Sequence, residues 1–338
     1  MKSILLTAAL LFLNPGLQAQ ELRTDISVHD PVMIKQDSLY YIFCTGQGIA
    51  MWSSADRTHW KSEKPVFENA PQWAVDAVPA FKNHIWAPDI SYYKGLYYLF
   101  YSVSAFGKNT SAIGLATNTT LHTDDPSYKW VDHGKIIQSI PGKTNWNAID
   151  PNLITDKDGT PYLVFGSFWD GLKLVKLNKD RLSIAEDINH IPTIATRRKH
   201  QSESLPAVDG NPADAGGNAI EAPFIFRHNG YFYLFASIDY CCKGPKSTYK
   251  MIIGRSRKLN GPYLDKDGLA LNKGGGSVLL AGDSNWYGVG HNGVTAFDGV
   301  DYIIFHGYDA ADRGISKLRI ERLNWENGWP IVASDPGK

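Results

Sequence analysis

The sequence predicts an all-β protein, a five-bladed β-propeller in a single domain, and three observations support this fold. A segment of similar pattern recurs five times, about 60 to 70 residues apart, beginning at Asp30, Asp89, Asp150, Glu221 and His291. Each copy places an acidic residue or a histidine before a short apolar run, a turn and an aromatic strand. No amphipathic pattern long enough for a three-turn helix separates the copies. A repeat of this length with several short strands per unit is typical of propeller blades.

The two inner strands of each predicted blade form a hairpin. We predict aromatic strands at residues 39–45, 96–104, 161–168, 231–238 and 301–308. Each follows Asp-Ser, Lys-Gly, Asp-Gly or Asn-Gly, dipeptides that favour tight turns. Outer strands, recognised by alternating apolar and polar residues, are predicted at 48–56, 111–118, 171–178 and 251–259. Four strands per blade account for nearly every segment.

Two polar segments interrupt the repeat. Residues 192–220 are rich in glycine and charge and directly precede Glu221, so we expect a long loop at the end of the propeller where the repeats begin. Residues 240–249 form a shorter insertion after the fourth hairpin. Loops at this end shape a cleft, and the long one can close one side of it.

The first nineteen residues predict a signal peptide, which leaves residues 20–338 as the propeller. Met1-Lys2 gives a basic start, Ser3 to Leu13 is apolar, and Ala19 suits signal peptidase. The apolar run is too short to span a bilayer. We therefore expect an exported protein, in the periplasm or the medium.

The charge balance excludes two classes of partner. The chain has 34 basic and 34 acidic residues and no long block of like charge, so we expect neither nucleic acid nor membrane as a partner. A neutral partner and a monomeric protein are expected instead. Ten Trp and seventeen Tyr offer flat rings that suit sugar faces, although most should pack between sheets.

Three cysteines are too few for a disulfide framework. Cys241 and Cys242 are adjacent, and the sequence leaves open a vicinal disulfide, a metal site or two small buried side chains. No CxxC motif or second Cys/His pair supports the metal site.

Three acids carry the strongest chemical signal. Asp30, Asp150 and Glu221 each precede an apolar strand, with a proline one or two residues later. Hydrolysis of a glycosidic bond needs an acid to protonate the leaving oxygen and a carboxylate to activate water or to attack. A single Asp-Pro is more often a turn cap. Three such acids in one repeat favour a catalytic site, because carboxylates gathered on one axis repel each other.

The residues around these acids resemble the blade-start motifs of glycoside hydrolase family 43. The matching motifs are His29-Asp30-Pro31, Trp86-Ala87-Pro88-Asp89-Ile90, Asn147-Ala148-Ile149-Asp150-Pro151 and Ala219-Ile220-Glu221-Ala222-Pro223. The segment from Asp239 to Gly244, with its double cysteine, is similar to the arabinanase branch of the family, as are Ser247 to Lys250 and Gly290-His291-Asn292. The resemblance covers residue 26 to the carboxyl terminus.

This resemblance implies an endo-acting hydrolase that cleaves α-1,5-linked L-arabinofuranose chains in arabinan and arabino-oligosaccharides with inversion of configuration. Asp30 would be the general base that activates water, Glu221 the general acid, and Asp150 a third carboxylate that orients the acid and raises its pKa. Asp89 belongs to a motif that the family uses structurally, so we leave it outside the catalytic set.

The resemblance also implies a metal ligand. His291 would contact a central calcium or sodium ion that is otherwise surrounded by water, since hard cations prefer oxygen ligands. From the residues alone, a packed histidine bonded to backbone is the alternative. Further residues are candidates for substrate contacts by stacking or hydrogen bonding: Trp86, Asn147, Ser167, Phe168 and Trp169.

Two other functions compete with this interpretation. An exo-acting arabinofuranosidase or a β-xylosidase can use the same acids, because the shape of the cleft decides the mode of attack. A sugar-binding propeller without catalysis is the alternative from another class. All three acids are present, which disfavours it.

Overall fold

The computed structural model describes residues 22–198 and 217–332. Five antiparallel sheets form the blades of a β-propeller, which confirms the predicted fold class. The predicted signal peptide and residues 199–216 of the predicted long loop lie outside the described residues. Within the described ranges, no helix is long and apolar enough to cross a membrane.

The described strands up to residue 62 form the first blade, except for β1 and β4, which pair with other blades. They are β1 (Leu22–Arg23), β2 (Val32–Gln36), β3 (Leu39–Cys44), β4 (Gly46–Gln47), β5 (Ala50–Ser54) and β6 (Lys61–Ser62). The first blade has the order β2-β3-β5-β6. A short helix, α1 (Gln72–Ala77), follows it.

The second and third blades continue the same pattern. The second consists of β7 (His84–Tyr93), β8 (Leu96–Val103), β9 (Ala112–Asn118) and β10 (Val131–Gln138), with β4 added beside β7. The third consists of β11 (Asn152–Thr155), β12 (Pro161–Phe165), β13 (Leu172–Lys176) and β14 (Thr193–Ala195). A 3-10 turn at Ile188–His190 precedes β14. The predicted loop at 192–220 is therefore wrong at its start, since residues 193–195 pair with β13.

The last two blades complete the ring. The fourth contains β15 (Ile220–His228), β16 (Tyr231–Ile238), β17 (Lys250–Ser256) and β18 (Ser277–Ala281). The fifth contains β19 (Trp286–Phe297), β20 (Val300–Asp309), β21 (Ile315–Glu326) and β22 (Trp329–Val332). Two further 3-10 turns lie at Gly244–Lys246 and Leu271–Lys273.

The amino-terminal strand closes the ring. In β1, Leu22 pairs with Ile320 and Arg23 pairs with Arg319, so the first strand of the chain is the outer neighbour of β21 in the last blade. This pairing links the segment that leads into the first blade to the last blade by backbone hydrogen bonds.

The core consists of five apolar clusters, one at each junction between neighbouring blades. The second strand of each blade contributes side chains to the apolar clusters on both sides of that blade. In β8, Leu99 and Tyr101 pack toward the first blade, and Tyr98 and Phe100 pack toward the third. Successive side chains of a strand point to opposite faces. Because both faces are buried, these strands are apolar throughout, which is why they were readable in the sequence.

Candidate active site

Five residues with left-handed backbone mark the inner strands at one end of the propeller. They are Asp30 (φ 54°), Ala87 (φ 43°), Asp150 (φ 57°), Ala222 (φ 52°) and His291 (φ 54°). Aspartate and histidine tolerate this conformation better than most residues, and alanine occupies it only where the surroundings impose it. One residue in each blade therefore turns its backbone amide toward the preceding blade.

These amide groups connect the blades. Four of them donate to a side chain of the preceding blade, and those side chains lie at the end of an aromatic strand. The bonds are Ala87 N to Thr45 Oγ1 (2.9 Å), Asp150 N to Ser102 Oγ (2.9 Å), His291 N to Ser237 Oγ (2.8 Å) and Asp30 N to His306 Nδ1 (3.1 Å). The fifth amide, of Ala222, donates to Oδ2 of Asp150 at 3.1 Å.

The structure corrects the alignment of two repeats. The sequence pattern equated Asp89 and Glu221 with Asp30, whereas the equivalent left-handed residues are Ala87 and Ala222. In three blades the left-handed residue lies within a register shift of the first strand: Ala87 between Trp86 and Asp89, Ala222 between Glu221 and Phe224, and His291 between Gly290 and Gly293. Glu221 therefore precedes the left-handed residue of its blade, and Asp89 follows that of its own.

Asp89 joins two blades instead of facing the site. Its buried carboxylate accepts hydrogen bonds from the amide of Leu153 (2.7 Å) and from Nδ2 of Asn152 (3.3 Å), both in the third blade. These bonds agree with the structural role expected for Asp89.

Asp30 is surrounded by hydrogen-bond donors. Its Oδ1 lies 2.8 Å from Nδ1 of His29 and 3.0 Å from Nδ1 of His291, and its Oδ2 accepts a 2.5 Å bond from the Thr45 hydroxyl. Burial alone would raise the pKa of Asp30, but His29 and His291 outweigh burial and hold the pKa well below its usual range. Asp30 is therefore a carboxylate at neutral pH.

Asp150 and Glu221 have the opposite electrostatic character. Burial, opposed by His291 and assisted by the charges of Glu221 and Asp30, raises the pKa of Asp150 to about 8. Burial also raises the pKa of Glu221, with Tyr249, Ser167 and His291 opposing the shift and Asp30 adding to it. The cluster thus contains one firmly ionised carboxylate beside two carboxyl groups that retain protons more readily.

Ser167 contacts Glu221 directly. Its hydroxyl donates a 2.8 Å hydrogen bond to Oε2 of Glu221, and the serine is buried. The predicted contact of Ser167 with substrate stays a prediction. The hydroxyl of Tyr249 is buried beside Glu221 without a partner of good hydrogen-bond geometry, and burial followed by the charge of Glu221 raises its pKa well above the usual value.

His291 compensates the negative charge of the cluster. Burial would lower its pKa, but Asp30, Asp150 and Glu221 together raise the pKa to about 9. Among the described residues, His291 belongs to no group of three protein ligands, and its Nδ1 already faces Asp30. The protein therefore provides at most one nitrogen, which fits a cation only if water supplies the other ligands and if the cation replaces the proton on His291.

The remaining predicted contacts differ in accessibility. Trp86 is half-buried and donates from Nε1 to Nδ1 of His84 at 3.0 Å, and Phe168 is half-buried with its ring 6.1 Å from that of Tyr240. Asn147 is buried with an unpaired Oδ1. Trp169 is only 5% exposed, and its stacking on a sugar stays a prediction.

A buried ion pair supports the loop that carries Phe168 and Trp169. Lys173 Nζ lies 2.5 Å from Oδ2 of Asp170 and 2.7 Å from Oγ1 of Thr193. Asn218 donates to the carbonyl oxygen of Trp169 at 2.9 Å. Phe168 (φ 54°) and Trp169 (φ 38°) are both left-handed, and these contacts hold the two strained residues in place.

Cys241 and Cys242 form a vicinal disulfide, and Cys44 is a buried free thiol. This bond decides among the three alternatives left open by the sequence. The disulfide lies in the loop after β16, and Cys242 Sγ is 3.7 Å from Nε2 of His29.

Sequence reasoning missed Thr45, Tyr249 and Tyr308 as residues of the site. One signal was available for the first of them. The pattern Phe-x-Ser/Thr closes four aromatic strands, at Thr45, Ser102, Ser167 and Ser237, and all four side chains bond at the axis. No comparable pattern points to the two tyrosines.

Residues 24–330 match the model of a protein family described as glycosyl hydrolases family 43. The chain belongs to this family. The family resemblance carried by the four motifs is thereby confirmed, and the cluster of Asp30, Asp150 and Glu221 is the candidate active site of a family 43 glycoside hydrolase.

Two curated relatives of this family 43 member are similar along most of its length. The chain is 47% identical over 309 residues to an extracellular exo-α-(1→5)-L-arabinofuranosidase of Cellvibrio japonicus, covering 91% of this chain and 86% of the relative. It is 43% identical over 307 residues to an extracellular endo-α-(1→5)-L-arabinanase of Bacillus subtilis, covering 90% of this chain and 87% of the relative.

A solved structure of the same family has a matching fold. The α-L-arabinanase of Cellvibrio cellulosa complexed with arabinohexaose superposes with a TM-score of 0.85 at 47% identity, covering 91% of this chain and 95% of that chain. The similarity extends over the whole propeller.

Proposed function

We propose that this protein hydrolyses α-1,5-L-arabinofuranosyl linkages in arabinan and arabino-oligosaccharides, with inversion of configuration. The observation that carries the proposal is the opposite shift of two pKa values in one buried cluster, with Asp30 held ionised and Glu221 favouring its proton. Such a pair supplies a base and an acid at the same pH. The arabinan-acting relatives and the neighbour solved with arabinohexaose supply the substrate class.

Each acid has one role in the proposed reaction. Glu221 gives its proton to the glycosidic oxygen as the bond from that oxygen to the anomeric carbon breaks. A water molecule attacks the anomeric carbon from the opposite face and transfers a proton to Asp30. Glu221 then regains a proton from solvent and Asp30 releases one. Atoms and charge balance, and no covalent intermediate is needed.

Asp150 supports the acid through the backbone. Its Oδ2 accepts the amide hydrogen of Ala222, the residue next to Glu221, and its charge interacts with that of Glu221. We propose that Asp150 fixes the main chain that carries the acid and raises the pKa of Glu221 when it is ionised.

Endo attack is the mode predicted from the sequence, and exo attack is the second candidate. The relative from Cellvibrio japonicus, which is named as an exo enzyme, favours the second candidate, as does the long polar segment before Glu221. A time course on linear arabinan distinguishes them. Endo attack gives a ladder of short oligosaccharides in the first minutes, whereas exo attack gives one fixed product size throughout.

The anomer formed first tests inversion. Proton NMR during hydrolysis of arabino-oligosaccharides should show the β-anomer before mutarotation equilibrates the products. The α-anomer as first product would contradict the proposal and require a covalent intermediate.

We also propose export and an axial ion. Both relatives are named extracellular, and residues 1–19 match a signal peptide. The ion, calcium or sodium, would contact His291 and water, and no step of the reaction depends on it. Elemental analysis should find about one calcium or sodium ion per wild-type chain and less in His291→Gln. No bound ion in the wild type, or equal amounts in both proteins, would contradict this proposal.

A further inference from the structure

Two side chains behind Asp30 form a continuous hydrogen-bonded chain. Nδ1 of His29 lies 2.8 Å from Oδ1 of Asp30, and Nε2 of His29 lies 2.8 Å from the hydroxyl oxygen of Tyr308. That oxygen also receives the backbone amide hydrogen of Cys242 at 2.7 Å. The chain therefore runs from a backbone amide through two rings to the proposed base.

The donor and acceptor of each hydrogen bond in this series follow from the Cys242 amide at its far end. A backbone amide can only donate, so the Tyr308 oxygen accepts from Cys242 and can use its own hydrogen for Nε2 of His29. Burial raises the pKa of Tyr308, which keeps that hydrogen in place at neutral pH. An accepting Nε2 requires the hydrogen of a neutral imidazole to be on Nδ1, where it donates to Asp30.

The surroundings hold this chain in one geometry. The His29 ring stacks on that of His306, with centroids 3.9 Å apart and 27° between planes, and the Tyr308 ring packs edge-on against His306. Tyr308 is only 3% exposed. The loop carrying Cys242 is closed by a bond from Thr248 N to the Tyr240 carbonyl oxygen (2.9 Å).

We propose that Tyr308 and His29 are positioning residues for the reaction: the Cys242 amide orients Tyr308, Tyr308 holds the His29 ring in place by donating to Nε2, and His29 fixes the orientation of the Asp30 carboxylate toward the attacking water. This inference rests on the proposed role of Asp30 as base. His291 and Thr45 also bind Asp30. Loss of the hydrogen bonds through His29 and Tyr308 therefore changes the orientation of the Asp30 carboxylate but leaves the carboxylate in the site.

Kinetics of three variants test the chain. Tyr308→Phe keeps the packed ring but removes the hydroxyl, and kcat on linear arabinan should fall about tenfold with little change in KM, because about one oriented hydrogen bond is lost. His29→Ala should lose more. His29→Asn places an amide donor near the position of Nδ1 and should recover part of the loss relative to His29→Ala. Tyr92→Phe, at a 57% exposed tyrosine, is the matched control.

A spectroscopic measurement tests the chain without activity. In ¹⁵N-histidine-labelled protein, the His29 ring should be protonated on Nδ1 in the wild type, in Tyr92→Phe and in Tyr308→Phe, because the ionised Asp30 accepts there. The Nε2 resonance of His29 should move only in Tyr308→Phe, because that nitrogen loses its hydrogen-bond donor. Unchanged kcat together with an unchanged Nε2 resonance in Tyr308→Phe would overturn the inference. If the wild-type protein fails to cleave arabinan, the proposed function fails, and the NMR result still decides whether the chain exists.

Discussion

The hydroxyl group of Ser167 donates a 2.8 Å hydrogen bond to Oε2 of Glu221. At Ser102 and Ser237, which close their strands with the same Phe-x-Ser pattern, the hydroxyl instead accepts the amide hydrogen that opens the next blade. In the third blade, the Asp150 carboxylate accepts the equivalent amide hydrogen, that of Ala222. The hydroxyl group of Ser167 is therefore not needed to join two blades, and it contacts the proposed acid Glu221 instead.

Replacing Ser167 with alanine should change the pH dependence of activity. The hydroxyl lowers the pKa of Glu221, so its removal should raise that pKa and move the alkaline limb of the kcat/KM profile to higher pH. We expect kcat to fall several-fold because the acid is less well oriented. Profiles of wild type and Ser167→Ala on the same oligosaccharide provide the measurement, and an alkaline limb at the same pH in both would show that Ser167 does not act on Glu221.

Thr45 serves both the base and a blade junction. Its hydroxyl donates to Asp30 at 2.5 Å and accepts from the amide of Ala87 at 2.9 Å. Thr45→Val should reduce kcat and lower the free energy of unfolding by about 1–3 kcal/mol, because a buried amide loses its acceptor. Thr45→Ser keeps the hydroxyl and is the control in urea unfolding and kinetics. A valine variant as stable and active as the serine variant would contradict both roles.

The buried ion pair of Lys173 and Asp170 should matter for stability. Lys173 is 2% exposed, and Lys173→Met removes the ammonium group from Asp170, which is partly exposed and keeps Thr193 and Arg198 as neighbours. We expect a loss of about 1–3 kcal/mol in the free energy of unfolding, because a charged hydrogen bond is lost. Lys176→Met, at an exposed lysine of the same strand, should cost little. Similar losses in the two variants, measured by urea denaturation, would show that the pair does not stabilise the loop.

The raised pKa of Asp89 predicts that the free energy of unfolding depends on pH. Burial raises its pKa to about 7 in the folded protein, although Leu153 and Asn152 oppose the shift, and the unfolded value is about 3.9. Between about pH 4 and 7 the folded state therefore binds more protons at this site, and stability falls as pH rises, by up to about 1.4 kcal/mol per pH unit. Above about pH 7 this contribution is constant.

The variant Asp89→Asn isolates this contribution. It removes the titration, so the difference in free energy of unfolding between wild type and variant should change with pH across this window. Urea titrations at several pH values measure the difference. A difference that stays constant from about pH 4 to 7 would show that Asp89 is ionised throughout.

The fold could be predicted because the information is local. Each aromatic strand follows a turn dipeptide and is apolar on both faces, so the hairpin of β15 and β16 can be predicted without knowing which blades it packs against. The pairing of β1 with the last blade cannot be predicted in this way, since a two-residue strand has no periodicity. The repeat phase at Asp89 and Glu221 was wrong because the left-handed residues of those blades are Ala87 and Ala222, and alanine gives no sequence signal of that backbone conformation.

The site was predictable only in part for a similar reason. The three acids stand in motifs beside prolines, and they can be found in the sequence. The partners that set their protonation come from elsewhere: Tyr308 is 279 residues from His29, and His291 is far in sequence from Asp30. The accessibility of Trp169 also depends on loop packing, which no local pattern encodes.

The most direct test of the central claim is the rate at which reducing ends are released from linear arabinan. It compares wild type with Asp30→Asn, Glu221→Gln and the exposed control Glu326→Gln. We predict that wild type and Glu326→Gln cleave the polymer at equal rates. Asp30→Asn and Glu221→Gln should each lose at least about 10²- to 10⁴-fold in kcat while retaining the wild-type unfolding midpoint. Near wild-type turnover by either folded active-site variant would contradict the assignment of Asp30 as base and Glu221 as acid.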